Sequence, residues 1–152
     1  MERHEPIEKI LWGIALPGFA QFLNGKILKG IVFIFLEVLI NVQSNLNEVI
    51  ISSFYGNIPK AIQQTNYAWL MFYPCVYLFA IWDGYKDAGG GKEAYSYIPF
   101  VTSAYLGTIG VVYSSTFELM GVLMGPIWLS ILFLIIGAGI GLIIKKLLVK
   151  TL

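Results

Sequence analysis

No charged residue interrupts the stretch from Ile127 to Ile144, and few features restrict a chain more. A bilayer core about 30 Å thick takes roughly 20 apolar residues of helix, and this run nearly fills it. The rest of the chain leans the same way. Apolar residues make up 57% and charged residues 12%, where a soluble domain carries roughly 45–50% and about 25%. A chain of 152 residues has too much surface for its volume to coat itself with so little charge. The expected class is therefore all-α: a polytopic helical membrane protein, because backbone groups in lipid must pair within their own segment.

Apolar segments and their breaks give the expected organisation, a single membrane domain. A polar tail, 1–9, precedes an apolar segment from Ile7 to Leu23 that Pro17-Gly18 interrupts. Proline removes an amide donor and clashes with the preceding turn, so this piece is either a short kinked span or a re-entrant one. A second segment starts at Ile27 and runs to Val42. Leu46, Ile50 and Phe54 recur at helical spacing and extend it as an amphipathic helix, up to a turn at Tyr55–Pro59. The third, Tyr67 to Trp82, is rich in aromatic residues, and Pro74 is expected to kink it. A polar loop follows from Asp83 to Ser96. Its glycines do not make a phosphate loop, because Lys92 is followed by Glu93 rather than Ser or Thr. The C-terminal pair of helices occupies 97–144, joined by the mildly polar 114–126, and a basic tail, 145–152, ends the chain. Four to five spans are expected. The acidic residues among the first nine argue against a signal peptide.

Lysines orient the spans, since short cytoplasmic loops collect them. Lys26 and Lys29, Lys86 and Lys92, and Lys145, Lys146 and Lys150 fall in alternate connections, against Lys60 alone on the other side. Residues 24–29, 84–96 and the C-terminus are expected in the cytoplasm. Arg3 and Lys9 go outside if the first segment spans, and inside if it re-enters.

Polar residues at membrane depth are the candidate site. Glu37 stands mid-span, where a carboxylate costs roughly 2.5–3.5 kcal/mol on insertion scales. It is either an ionisable transport site or a neutral acid bonded to a neighbouring helix. Asn41 lies one turn away and can share its face. Gln21 and Asn24 can satisfy backbone loosened at Pro17 or take part in ligand binding. Asp83, at the cytoplasmic boundary, has Lys26, Lys29 and Lys86 as possible partners, or is simply solvated. Gly137 and Gly141, with Ser103 and Gly107, offer small faces for close helix packing, within the monomer or between subunits. His4 is a lone tail histidine and Cys75 the only cysteine. No catalytic set, metal site or cofactor is expected, and the small net charge gives no footprint for nucleic acid.

The stretch Phe22–Gly30, "FLNGKILKG", resembles the signature of the two-transmembrane-helix (TM-two) domain family. Phe22, Leu23, Gly25, Lys26 and Gly30 occupy its aromatic, apolar, glycine and basic places. The preceding "PGFAQF" is similar to the entry of bacterial relatives, and "AIWDGYKDA" to the end of their last matched helix. The similarity covers 10–88, interrupted by an insertion at 43–66, and the helices after 96 have no counterpart in it. It implies that the first segment is a membrane helix, which favours five spans, and a small bacterial membrane protein. The family implies architecture and no agreed enzymatic activity. The expected role is accordingly non-enzymatic, a scaffold or accessory subunit in the cell membrane. Its partners would be the lipid bilayer and other membrane proteins or further copies of itself. A small transporter or channel component using Glu37 is the alternative.

Overall fold

A computed structural model of the chain describes residues 5–151; His4 and Arg3 lie outside them. The elements in order are α1 (Glu5–Ala15), α2 (Phe19–Leu23), α3 (Ile27–Ser44), α4 (Leu46–Phe54), α5 (Ile58–Gln64), α6 (Tyr67–Leu70), α7 (Tyr73–Asp87), α8 (Ile98–Tyr113), strands β1 (Glu118–Leu119) and β2 (Val122–Leu123), and α9 (Gly125–Lys150). The chain is all-α apart from that one short antiparallel hairpin. Helices α3 and α9 are long and apolar enough to cross a membrane, and in each only 22% of the apolar window is buried inside the chain. Most of their surface therefore faces outward, unlike the core helix of a soluble protein.

Four long helices run side by side in alternating directions. Along α3 and α7, Lys29 meets Asp83 and Asp87, Phe33 meets Phe79, and Glu37 meets Tyr73, which fixes the pair as antiparallel. Helices α8 and α9 pack through small residues. A Cβ on Gly137 would lie 2.6 Å from the Ser103 Cα, and one on Gly110 would lie 2.9 Å from the Leu129 carbonyl. The Ser103 hydroxyl donates to the Leu134 carbonyl at 2.8 Å, and Thr102 to that of Gly137 at 2.8 Å. Close backbone approach thus supplies both packing and hydrogen bonds.

The first apolar segment, expected as either a short kinked span or a re-entrant piece, is broken into α1 and α2. It doubles back. Ile10 lines a cleft with Tyr85 and Lys145, a Cβ on Gly13 would touch Ile81 at 3.1 Å, and Tyr77 donates to the Ile14 carbonyl at 2.8 Å. After the break, α2 returns along the same helix: Ala20 abuts Gly84, and Asn24 donates to the Gly84 carbonyl. Trp12 and Phe19 face each other across the hairpin at 5.1 Å. Both limbs therefore rest on one half of α7. The reversal depends on Gly18, whose φ of 95° only glycine adopts readily. A Cβ there would collide with the Gly30 carbonyl at 2.7 Å.

Other expectations are corrected locally. The chain is helical from Glu5, so the polar residues 5–9 belong to α1. Pro74 does not kink a continuous helix. The helix breaks after Leu70, and Pro74 sits in the first turn of α7, where its missing N–H costs nothing. Helix α7 continues past Trp82 to Asp87, shortening the polar loop. Residues 43–66 turn at Asn45 in the left-handed region and then form α4 and α5. These two, with α6, cap the end of the bundle opposite Lys29 and Lys145. Leu46, Val49, Ala61, Leu70, Val111 and Ile127 form the buried core there. Trp128 donates to the Ser53 carbonyl and Ser52 to the Gln64 side chain, closing the cap.

Candidate functional site

The interrupted stretch before α3 builds its own turn. Asn24 ends α2, Gly25 takes φ 71°, and the amides of Gly25 and Lys26 donate to the carbonyls of Phe22 and Gln21 at 2.9 and 2.8 Å. This double closure satisfies carbonyls at a helix C-terminus. Gly30 lies inside α3 rather than opening it, and a Cβ there would be 3.0 Å from the Phe22 ring. The turn is thereby pressed against the helix that follows it.

This turn delivers three polar side chains to the last turns of α7. Gln21, fully buried, donates through Nε2 to the Ala80 carbonyl at 2.8 Å and to the Asp83 carboxylate at 3.1 Å. Asn24 donates to the Gly84 carbonyl at 2.8 Å. Lys29 bridges Asp83 and Asp87, 2.8 Å from each. Gln21 and Asp83 are thus joined directly, while Lys26 and Lys86 make no ion pair among the described residues. Gln21 Oε1 is buried without a hydrogen-bond partner.

Glu37 stands apart from this cluster. It accepts a hydrogen bond from the Tyr73 hydroxyl at 2.9 Å, and its second oxygen is buried with no partner. Tyr73 stacks on Tyr77 with ring centroids 5.6 Å apart, and Tyr77 reaches the hairpin at Ile14. Asn41 does not join Glu37. It donates to the Asn47 side chain at 3.1 Å, across the turn into the cap. The candidate polar group of Glu37, Gln21, Asn24 and Asn41 is therefore three separate arrangements: a cluster at the end of α7, a mid-helix pair and a cap contact. Across the α8–α9 pair Gly107 faces the Leu134 side chain, with Pro74 of α7 beside it, and Gly141 faces the Thr102 hydroxyl and the Pro99 backbone.

Asp87 and Tyr73 were not singled out in the sequence. Asp87 stands one helical turn beyond Asp83, a spacing that places both on one face once α7 is extended. Nothing in the sequence marked Tyr73, since its partner is distant along the chain. At the lysine-rich end a further pair ties loop to helix: Lys145 lies 2.6 Å from Glu93 and holds that carboxyl below the usual carboxylate range. Among the described residues no His, Cys, Asp and Glu side chains gather to hold a metal ion.

Apart from Gln21 Oε1 and one Glu37 oxygen, the polar groups of these clusters bond to partners within the chain and so tie helices together. No protein-family model matches the chain, no curated protein matches it, and no solved structure matches it.

Proposed function

We propose that this is a small multi-pass protein of the cell membrane, TM-two-like at its N-terminal half, acting without enzymatic activity as a scaffold or accessory subunit. The spans are α3, α7, α8 and α9. The α1–α2 hairpin enters from the cytoplasmic side and returns to it, so both ends of the chain are cytoplasmic. Lysine placement supports this orientation. Lys9, Lys26, Lys29, Lys86, Lys92, Lys145, Lys146 and Lys150 then share the cytoplasmic side, with only Lys60 opposite. Helices α7 and α8, of 15 and 16 residues, reach about 22–24 Å. They fall short of a roughly 30 Å core, which local bilayer thinning accommodates.

One observation carries the scaffold role. Leu28, Ile31, Phe35, Val38 and Val42 are each more than half exposed on α3. Their alternating three- and four-residue spacing is that of a helix–helix seam. Helix pairs in membranes most often cross at the shallow angle such a seam gives. No element among the described residues covers it. The test is cysteine crosslinking along α3 in a Cys75→Ser background. Crosslinks at 28, 31, 35, 38 and 42, but not at 36 or 39, are expected, and the mass of the product identifies a second copy or another protein. Uniform or absent crosslinking would leave the seam facing lipid and defeat the proposal.

Transport keeps one supporting observation, the unpartnered buried oxygen of Glu37. Against it, neither Gln21 nor Asn41 lines a polar cavity with that carboxylate. Loss of ion flux in Glu37→Gln, with folding intact, is the outcome that would favour transport.

A further inference from the structure

A groove of about 500 Å³ runs between α7 and α8, lined among others by Cys75, Phe79, Trp82, Phe100, Val101 and Ala104. Its volume falls within the roughly 300–1,000 Å³ of small-molecule sites, and every one of these side chains presents apolar surface. What distinguishes it from the general lipid-facing surface is its mouth. On α7 the lining residues Cys75, Phe79 and Trp82 follow one helical stripe, and the next residue on that stripe is Lys86. Across the mouth, the loop after α7 folds onto the same tryptophan. A Cβ on Gly91 would lie 2.7 Å from the Trp82 ring, and the Ser96 hydroxyl donates back to the Gly91 carbonyl at 2.9 Å. Lys92 is therefore held one residue from the ring.

Neither lysine forms an ion pair among the described residues. The carboxylates closest in sequence bond elsewhere: Asp83 and Asp87 share the single charge of Lys29, and Glu93 pairs with Lys145. Lys86 and Lys92 are exposed and make no ion pair among the described residues. The stripe from Cys75 to Lys86 is about 16 Å long at 1.5 Å per residue. That is most of the length of α7, so the groove follows nearly the whole span.

An apolar slot about 16 Å long, ending in two cations without ion-pair partners among the described residues, has the shape and charge of an amphiphile with an anionic head. We infer that the α7–α8 groove is a binding site for one anionic phospholipid of the cytoplasmic leaflet, an acyl chain lying along Trp82 and the phosphate meeting Lys86 and Lys92. This rests on the membrane-spanning orientation proposed above. The loop that carries Lys92 also carries Glu93, so the Lys145 contact fixes the position of the head-group site.

The test uses the full chain in vesicles, with Trp82→Phe to isolate the Trp82 signal. Flotation with the vesicles comes first; a chain that stays in solution refutes the membrane orientation, separately from any lipid selectivity. Quenching of Trp82 is then compared for phosphatidylglycerol and phosphatidylcholine brominated on the acyl chain. Two lysines near the surface predict a preference of roughly thirtyfold for the anionic lipid. Lys86→Gln with Lys92→Gln should abolish most of it. In the unaltered chain, salt raised to about 1 M should do the same by shortening the screening length to about 3 Å. Equal quenching by both lipids would overturn the site. So would a preference insensitive to salt, and so would Trp82 beyond reach of either lipid, the result expected of a groove filled by another protein.

Discussion

Replacing Gly84 by alanine isolates the contact that holds the N-terminal hairpin in place. The added Cβ would lie 2.7 Å from the Ala20 Cβ and 3.4 Å from Gln21 Nε2. Ala20 has no flexible side chain to swing aside, so α2 must retreat, by something on the order of 1 Å. Hydrogen bonds weaken steeply with such stretching. Those from Gln21 to the Ala80 carbonyl and Asp83, and from Asn24 to the Gly84 carbonyl, all cross this interface. Overpacking costs about 1–3 kcal/mol, and a buried polar group left unpaired about as much again. Alanine gives back about 1 kcal/mol of helix propensity. The net expectation is a loss of about 3 kcal/mol. For a chain of this size that is a fall in melting temperature of roughly 6–12 °C, read by circular dichroism in detergent micelles. Gly139→Ala is the control: it makes the same change within a helix, where the new Cβ meets nothing within 4 Å, and should be neutral or slightly stabilising. If Gly84→Ala melts at or above the unaltered chain, the hairpin does not pack on α7 as described.

Three further outcomes follow from other contacts. Tyr73→Phe removes the one side-chain hydrogen bond to Glu37 among the described residues and should cost about 1–3 kcal/mol, whereas Glu37→Gln keeps an acceptor and should leave the melting temperature nearly unchanged. Gly137→Leu drives a side chain into the Ser103 and Thr102 backbone and should cost about 3 kcal/mol, the upper end for overpacking, with loss of helical signal on mild heating. The Glu93 carboxyl is held low by the Lys145 ammonium. The pair therefore contributes above the ordinary carboxylate range and is lost as pH falls through the lowered folded value. Proteolysis of the 88–97 loop should rise only under that acidification, and Glu93→Gln should remove the pH dependence; a rise at neutral pH would contradict the assignment.

Long-range approach separates what the sequence made legible from what it hid. The uncharged Ile127–Ile144 run and the second apolar segment correspond to α9 and α3, because apolar length is written locally. The direction of the chain after Pro17-Gly18 was not, because it depends on Gly18 meeting Gly30 and on Ala20 meeting Gly84. Neither pair is close in sequence. Pro74 suggested a kink because proline interrupts a helix, yet the same fixed φ suits a first turn, and only the break after Leu70 decides between the two. Lys29 was one of three candidates for Asp83. Its selection follows from the antiparallel register of α3 and α7, which also brings in Asp87.

The proposed re-entry of the α1–α2 hairpin is tested most directly by which side of the membrane each end reaches. In a Cys75→Ser background, single cysteines at Glu5, Asn57 and Lys150 are exposed to a membrane-impermeant maleimide. A hairpin that returns to the cytoplasm leaves Glu5→Cys and Lys150→Cys unlabelled in intact cells and labelled after permeabilisation, while Asn57→Cys labels in both. Labelling of Glu5→Cys in intact cells, with Lys150→Cys still protected, would mean that the first segment crosses the membrane and that the hairpin does not exist there.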